Sequence, residues 1–265
     1  MTVNSQDLRL ELAAGAALVG TFVATPSAEI VEMLGLAGFD FCVLDMEHAH
    51  FGTETVAHLL RAAELRGMAA IVRVPSSAPE QIGIVLDLGA AGIMVPGIAS
   101  AEEGARMVAL TRYPPAGRRG AHLSTRHLRY SATSFADVAR DPRARPFTVL
   151  QIESAVDEEG IKAIVAVEGL DVVFIGINDL SQSVGRGGDF EHEDVQVVVR
   201  KIVAAASARG VALGLWARDP AALGKLRDRG FSFLTVSNNE LMFFEAAQAL
   251  ARRAKESLLI HEERA

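Results

Sequence analysis

Short apolar runs alternate with longer amphipathic stretches along almost the whole chain. Each run is closed by Gly, Pro, Asp or Asn, as buried strands commonly are. These runs predict strands at Leu18–Val23, Phe39–Leu44, Ala69–Val74, Gly92–Val95, Phe147–Ile152, Val172–Ile175, Val211–Leu215 and Phe233–Val236. Apolar residues at helical spacing predict helices at Ser27–Leu36, Thr53–Leu65, Pro79–Leu88, Ala101–Thr111, Asp157–Val167, Glu193–Ala208, Pro220–Arg229 and from Glu240 into Leu259.

The predicted strands alternate little between polar and apolar residues, which is typical of parallel strands in a sheet covered by helices. Eight strand–helix repeats favour an α/β fold of the TIM (β/α)8 barrel type over an open doubly wound sheet. No segment resembles an interdomain linker, so we expect residues 1–265 to form a single domain. A long excursion at about 113–146 follows a helix, so it starts at the bottom of the barrel. It reaches the mouth only by climbing the side or by entering a neighbour's site.

The composition of the chain limits the kinds of molecule that it is expected to bind. The 265 residues carry 26 Lys and Arg against 33 Asp and Glu, and this acidic balance opposes nucleic-acid binding. The single cysteine, Cys42, allows neither an internal disulfide nor a thiolate metal cluster, so a metal would need oxygen or imidazole ligands. A reducing cytoplasm fits this cysteine usage. No apolar run is long enough to cross a membrane, and we expect a small-molecule partner.

Polar residues gather where the predicted strands end, which is where TIM-barrel enzymes place their catalytic groups. They are Asp45, Glu47, His48, His50, Arg73, Gln151, Glu153, Gly176, Asn178, Asp179, Trp216, Ser237 and Asn238. Glu153 and Asp179 lie one repeat apart, so both carboxylates can point into the mouth. Facing carboxylates repel unless a charge neutralises them, and Mg²⁺ or Mn²⁺ does so with oxygen ligands. The alternative for Asp179 is a cap on the next helix.

Arg73 and His48 are candidates for charge stabilisation and proton transfer at the same rim. Arg73 could instead form a salt bridge with Asp45 or Glu47, and His48 could be an ordinary hydrogen-bonded histidine. His48 and His50 also share a face in an extended segment, which is a weak metal-binding motif. A Schiff-base mechanism is improbable because the four lysines, Lys162, Lys201, Lys225 and Lys255, fall on helical stretches.

Five ordered motifs carry a family resemblance over about residues 15–250: AGFDFCVLDMEHAHF, IVRVP, TRYPPAGRRG, VLQIES and VEGLDVVFIGINDLS. Together they resemble the HpcH/HpaI aldolases, metal-dependent pyruvate aldolases of 4-hydroxy-2-oxo acids. The resemblance implies a (β/α)8 barrel assembled as a homohexamer. It also implies a divalent cation, Mg²⁺, Mn²⁺ or Co²⁺, held by Glu153 and Asp179.

The same resemblance implies roles for further residues. His48 would be the catalytic histidine and Arg73 the active-site arginine, while Asp87, supplied by a neighbouring subunit, would poise the histidine. We expect Arg73, Gln151, Gly176, Asn178, Asp179 and Trp216 to contact the substrate. The sequence departs from the family pattern at Phe22, His50 and Ile177. Trp216, Ser237 and Asn238 also form an unusual rim after the seventh and eighth strands, and these departures leave the acceptor aldehyde open.

The predicted function is reversible cleavage of a 4-hydroxy-2-oxo acid to an aldehyde and pyruvate, or a related 2-oxo acid such as hydroxypyruvate, through a metal-stabilised enolate. Three alternatives stay open at this point. They are a metal-dependent hydrolase using His48 and His50, a CoA-thioester lyase of similar architecture, and a non-catalytic barrel.

Overall fold

The computed structural model of the protein describes residues 5–50, 52–75, 78–130, 134–141 and 144–262. Eight parallel strands form a closed barrel in which each strand pairs with the next and the eighth pairs with the first. The predicted TIM (β/α)8 barrel is therefore confirmed. The strands are β1 (Leu18–Val23), β2 (Phe41–Asp45), β3 (Ala69–Arg73), β4 (Gly92–Val95), β5 (Phe147–Ile152), β6 (Val172–Ile175), β7 (Ala212–Ala217) and β8 (Phe231–Asn238).

Helices surround this barrel. They are α1 (Ser5–Ala13), α2 (Ala28–Ala37), α3 (Thr53–Leu65), α4 (Gln81–Asp87), α5 (Ala101–Thr111), α6 (Phe135–Arg140), α7 (Glu158–Val165), α8 (Ile177–Ser183), α9 (Glu193–Arg209), α10 (Leu223–Asp228, after a 3₁₀ turn at Pro220–Ala222) and α11 (Asn239–Glu262). The predicted strands and helices are all present. The sequence pattern missed three short helices, α1, α6 and α8.

The barrel interior and the sheet–helix layer form two separate cores. At the base of the interior, the ring of Phe41 stacks on that of Phe233 with centroids 4.0 Å apart, and Phe147 packs against Phe233 at 5.7 Å. Strand residues two positions apart face the same side of the sheet. Each strand therefore points an apolar residue inwards at the base and places a residue two or four positions later near the mouth.

Helix α1 closes the base of the barrel. Leu8 is fully buried in the interior core, and the Nε of Arg9 lies 2.7 Å from Oδ1 of Asp171, just before β6. The guanidinium of Arg9 also donates to the carbonyl oxygen of Pro146, just before β5. The base is thus sealed by apolar packing and fixed by an ion pair.

The predicted excursion packs against the base as well. The N–H of Arg119 donates to the carbonyl oxygen of Arg112 at 2.8 Å, and the N–H of His127 donates to that of Asp87 at 3.1 Å. The guanidinium of Arg126 reaches the carbonyl oxygen of Leu88 at 3.0 Å. This segment therefore covers the C-terminal end of α4. Residues 131–133 and 142–143 of the excursion lie outside the described residues.

Among the residues that the structure describes, none of the helices combines the length and the apolar character that a bilayer crossing requires.

Candidate active site

A cavity of about 270 Å³ opens at the carboxyl ends of the strands. Of the predicted site residues, its wall includes His48, Arg73, Gln151, Gly176, Asn178, Asp179 and Trp216. A cavity of this size lies at the small end for ligand sites, which suits a compact substrate. Residues from strands β2, β3, β5 and β7 and from the segment after β6 meet here because parallel strands all end on the same face.

Arg73 is held by two carboxylates at the cavity wall. Its Nε and Nη2 donate to the two oxygens of Asp45 at 2.9 and 2.6 Å, and its Nη1 lies 3.1 Å from an oxygen of Glu47. The guanidinium carbon also lies 5.0 Å from the centre of the Phe22 ring. The predicted ion-pair alternative therefore exists, and it coexists with a place in the cavity wall. A bidentate pair of this kind fixes the plane of the guanidinium.

Asp45 is the hub of this arrangement. Besides Arg73, its Oδ1 accepts from the backbone N–H groups of Glu47 and His48, at 3.0 and 3.3 Å. Burial by itself would raise the pKa of Asp45, but the hydrogen bonds and charge of Arg73, with the two N–H groups, lower it below its ordinary value. Asp45 therefore stays ionised and orients both Arg73 and the turn that carries His48.

Glu153 directly follows β5 and lies against Gly176, the residue after β6. Nε2 of Gln151 donates to Oε2 of Glu153. A Cβ at position 176 would stand 2.6 Å from Nε2 of Gln151 and 2.7 Å from Oε2 of Glu153. Only glycine leaves room for this approach, so the backbone at Gly176 sets the position of the carboxylate.

Asp179 lies in the first turn of α8, whose N-cap position is occupied by Gly176. The side chain of Asp179 is therefore not the helix cap, and it lies in the cavity wall instead. The missed helix α8 is what places Asn178 and Asp179 at the rim, directly after β6.

The pKa values of Glu153 and Glu47 are both raised at this site. The pKa of Glu153 is raised to about 7, first by burial and then by the charges of Glu47 and Asp179, against the lowering effects of Arg73 and Gln151. Burial also raises the pKa of Glu47, which the charge of Asp179 reinforces. The acidic groups thus outweigh the one arginine, and a divalent cation is the kind of charge that this donor set accommodates.

Two neighbouring carboxylates, Glu153 and Asp179, are the core of the donor set. No group of three or more His, Cys, Asp and Glu side chains arranged to hold a metal occurs among the described residues. A Mg²⁺-type ion is commonly bound by one or two carboxylates, with water and substrate oxygens completing its shell. Glu153 and Asp179 fit that pattern, whereas a closed site with three or four protein ligands does not.

His48 lies at the cavity rim with 65% of its side chain exposed. Its Nε2 lies 3.9 Å from an oxygen of Glu47. His50 is absent from the cavity wall, so the structure gives no support to a metal site built from His48 and His50. The imidazole of His48 thus belongs to the cavity wall while most of it is exposed to solvent.

Asp87, although predicted to belong to the site, does not lie at the mouth of its own chain. It is the last residue of α4, and this helix runs from the mouth back to the base, where β4 begins. There its Oδ1 accepts from Nη2 of Arg119 at 2.7 Å. The roles predicted for His48 and Asp87 therefore need two different chains.

Sequence reasoning did not assign the rim around β8. Ser237 has φ of 55°, the left-handed region that is uncommon for residues other than glycine, and its carbonyl oxygen accepts from Nε1 of Trp216 at 2.9 Å. The side chain of Asn239 accepts from the N–H of Ala24 at 2.8 Å. The polar run Ser237–Glu240 was a visible signal, but the backbone turn that fixes Trp216 was not.

The comparison with known families adds to this geometry. The profile of the HpcH/HpaI aldolase/citrate lyase family matches residues 18–246. The chain belongs to this family. It is 35% identical to the hydroxypyruvate/pyruvate aldolase of Paraburkholderia phytofirmans, over 94% of this chain and 97% of that one. It is also 35% identical to the 5-keto-4-deoxy-D-glucarate aldolase of Salmonella arizonae, over 92% and 94%.

Solved structures agree with this membership. A HpcH/HpaI aldolase/citrate lyase family protein from Burkholderia cenocepacia superposes with a TM-score of 0.87 at 31% identity, covering 94% of this chain and 98% of that chain. The predicted resemblance is confirmed, and so is the predicted enzyme class. This member of the HpcH/HpaI family is an aldolase, a carbon–carbon lyase.

Proposed function

We propose that this HpcH/HpaI aldolase uses a divalent cation to cleave 4-hydroxy-2-oxo acids to an aldehyde and pyruvate, or a related 2-oxo acid such as hydroxypyruvate. The observation that carries the proposal is a pair of neighbouring carboxylates: Asp179 lies in the wall of the cavity with the fixed cation Arg73, and Glu153 is close enough for the charge of Asp179 to raise its pKa. The relatives named above, a hydroxypyruvate/pyruvate aldolase and a 5-keto-4-deoxy-D-glucarate aldolase, support the substrate class.

Glu153 and Asp179 would hold the cation, Mg²⁺, Mn²⁺ or Co²⁺. When bound, such a cation polarises a carbonyl group and makes a neighbouring C–H proton more acidic. Gln151 and Gly176 hold Glu153 in place from below. The exposed position of Asp179 leaves its carboxylate accessible from the cavity.

Arg73 would stabilise the negative charge that develops on the substrate, and His48 would transfer the proton. The guanidinium of Arg73 is fixed by Asp45 and Glu47, so it faces the negative charge developing on the keto oxygen without reorganising. In the synthetic direction His48 takes a proton from C3 of the 2-oxo acid. In cleavage it takes the proton of the C4 hydroxyl group, the C3–C4 bond breaks to release the aldehyde, and the electron pair of that bond stays on the 2-oxo acid as an enolate. Protonation of this enolate at C3 then gives the free 2-oxo acid.

The remaining cavity residues would bind the rest of the substrate. Asn178 offers an amide at the rim, and Trp216, held by its bond to Ser237, forms an aromatic wall. Together with Phe22 they bound the side of the cavity where an aldehyde would enter. We assign the choice of aldehyde to this wall.

Asp87 would act on the His48 of a neighbouring subunit in a homo-oligomer, a hexamer by family resemblance. Its place at the base excludes contact with His48 of the same chain. Large apolar side chains are exposed at the same end of the molecule, with Ile84 one turn before Asp87 and Leu65 at the end of α3. Such exposure is typical of a surface that another subunit covers. A cytoplasmic location stays a prediction.

Chelation tests the cation. Pyruvate release from a 4-hydroxy-2-oxo acid should stop in EDTA and return with Mn²⁺ or Mg²⁺. Uptake of deuterium into the methyl group of pyruvate, measured by NMR in D₂O, should show the same dependence and needs no knowledge of the aldehyde. Full activity in the chelator would refute the role of Glu153 and Asp179.

Hybrid oligomers test the placement of Asp87. His48→Ala and Asp87→Asn subunits, co-expressed with different tags and purified through both, each lack one of the two groups. In a random mixture about one quarter of the sites of a symmetric oligomer would combine an intact His48 with an intact Asp87 from the neighbour. Exchange activity well above that of either parent is expected. No gain in the hybrids would contradict action across the subunit boundary.

A further inference from the structure

A second buried arginine lies at the base of the barrel, far from the cavity. The side chain of Arg119 is 0% exposed, and its Nη2 lies 2.7 Å from Oδ1 of Asp87. Its guanidinium carbon stands 4.6 Å from the centre of the Tyr113 ring. The charge of Arg119 is thus enclosed by the protein and directed at one carboxylate oxygen.

This ion pair is incompletely satisfied. Nε and Nη1 of Arg119 are buried and have no hydrogen-bond partner among the described residues. Burying a guanidinium in this way costs free energy that a single hydrogen bond does not recover, so the pair is poor evidence of a stabilising role. Because burying the Arg119 guanidinium costs stability, its position is better explained by its effect on the carboxylate of Asp87.

Asp87 is held from one side only. One third of its side chain is exposed, and its Oδ2 has no hydrogen-bond partner within the described part of the chain. The backbone next to it is fixed too, because the carbonyl oxygen of Asp87 accepts from the N–H of His127. The carboxylate is therefore anchored through Oδ1 and presents its other oxygen outwards.

The backbone around Arg119 is also fixed to α5. The N–H groups of Arg118 and Arg119 donate to the carbonyl oxygens of Ala109 and Arg112, at 2.7 and 2.8 Å. A Cβ at position 117 would stand 2.4 Å from the carbonyl oxygen of Ala109, so Gly117 allows the segment to lie directly on the end of this helix. The guanidinium of Arg119 thus rests on a rigid support.

We propose that Arg119 is a positioning residue for the aldolase reaction: it anchors Asp87 through Oδ1 so that Oδ2 meets the exposed imidazole of His48 in a neighbouring copy of this chain. The inference rests on the proposed function of Asp87. What it adds is that the rate of the aldolase reaction depends on Arg119, and that Arg119 acts by holding Asp87 in place. A carboxylate held in this way orients the imidazole and stabilises its protonated form.

The test is a double-mutant cycle read by deuterium exchange into pyruvate with Mn²⁺ present. Arg119→Gln should lower kcat about tenfold, as expected for loss of a supporting hydrogen bond behind a catalytic group, with the KM for pyruvate little changed. Arg119→Lys, which keeps the charge, should recover part of the rate. Arg118→Gln is the matched control because Arg118 is the exposed neighbour in the same segment, and it should leave kcat unchanged.

The decisive variant combines Arg119→Gln with Asp87→Asn. If Arg119 acts through Asp87, the double variant should be as slow as Asp87→Asn alone, because the interaction that Arg119 supports is already lost. Equal losses in both backgrounds would overturn the proposal, as would an Arg119→Gln protein of normal oligomeric state with full kcat. If Arg119→Gln does not fold, as judged by thermal melting and gel filtration, the same cycle with Arg119→Lys decides the question.

The hybrid oligomers described above distinguish the proposed role of Arg119 from the proposed placement of Asp87 at a neighbour's site. Recovery in the hybrids together with additive losses in the cycle would overturn the role of Arg119 and keep that of Asp87. Coupling in the cycle without recovery in the hybrids would support the action of Arg119 on Asp87 and overturn the placement of Asp87 at a neighbour's site.

Discussion

Two arginine–aspartate pairs, each with a buried arginine, lie at opposite ends of this barrel, and they are built differently. At the mouth, all three guanidinium nitrogens of Arg73 face carboxylate oxygens of Asp45 or Glu47. At the base, Arg119 makes one such contact, with Asp87, and its other two nitrogens have no partner among the described residues. The first pair is complete within the chain, whereas the second fixes a carboxylate that faces outwards.

The comparison shows that an arginine and an aspartate can be paired in two ways that suit different functions. A fully paired arginine is immobile and can meet negative charge on a substrate without reorganising. A carboxylate bound through one oxygen keeps the other for a further partner. In the proposed mechanism the mouth thus acts with groups of its own chain, and the base supplies a group to another chain.

The largest expected effect comes from removing Glu153, one of the two carboxylates that we propose hold the cation at the mouth. Glu153→Gln should lower pyruvate exchange about a thousandfold or more, because metal catalysis is worth several kcal/mol of transition-state stabilisation. Titration calorimetry should show loss of Mn²⁺ binding in parallel. Glu158→Gln, an exposed position at the start of α7, is the control. Unchanged Mn²⁺ affinity in Glu153→Gln would contradict the assignment.

The next effect compares the two arginines directly. Arg73→Lys should lower kcat about a hundredfold, because lysine cannot reproduce the planar, doubly hydrogen-bonded arrangement with Asp45. This loss should exceed that of Arg119→Lys, since the role proposed for Arg73 is direct contact with the substrate and the role proposed for Arg119 passes through Asp87. Arg66→Lys, at the exposed end of α3, is the matched control. A smaller loss at Arg73 than at Arg119 would reverse the comparison.

A smaller, selective effect is expected at the wall of the mouth. Trp216→Phe removes the hydrogen bond to Ser237 and part of the aromatic surface. The efficiency of aldehyde addition should change by about tenfold, and differently for different aldehydes, because pocket contacts discriminate by small amounts. Deuterium exchange into pyruvate should stay near the parent rate. An equal change in exchange and addition would place Trp216 at the 2-oxo acid instead.

The smallest effect is a pH dependence of stability in the metal-free protein. The pKa of Glu153 is raised from its ordinary 4.5 to about 7 by burial and by Glu47 and Asp179, so the folded state favours the protonated acid. The free energy of unfolding should therefore fall as pH rises from 4.5 towards 7, and stay lower above that range. The melting temperature in EDTA should show this fall, and Glu153→Gln should flatten it. Mn²⁺ should raise the melting temperature more at high pH than at low pH.

Much of the fold was predictable because its signals are local. Four strands were predicted with the bounds that the structure shows, among them Gly92–Val95 and Phe147–Ile152. The start of β2 was placed too early, at Phe39, because Gly38 ends α2 in the left-handed conformation and the carboxylate of Asp40 accepts from the N–H of Val19. Such a contact between distant segments leaves no periodic trace in the sequence.

The candidate site was predictable to a similar extent. Placing polar residues at strand ends brought Arg73, Gln151 and Asp179 to one cavity, as expected. The salt bridge between Arg73 and Asp45 was predicted only as an alternative, and Phe22 was noted only as a departure from the family pattern. The hydrogen bonds between Asp45 and the turn that carries His48, and the contact of Phe22 with Arg73, depend on the tertiary structure. Helix α8 was missed because a helix of seven residues shows too little periodicity to detect.

The sequence by itself determined the barrel, the family and the residues that carry charge at the mouth. Spacing along the chain is sufficient for this, because strand and helix periods and the shared direction of parallel strands follow from backbone geometry. Only the tertiary structure decided which arginine pairs with which aspartate, and that Asp87 lies at the opposite end of the molecule from His48. Those facts depend on where segments far apart in the chain come into contact, and residue spacing carries no record of such distances.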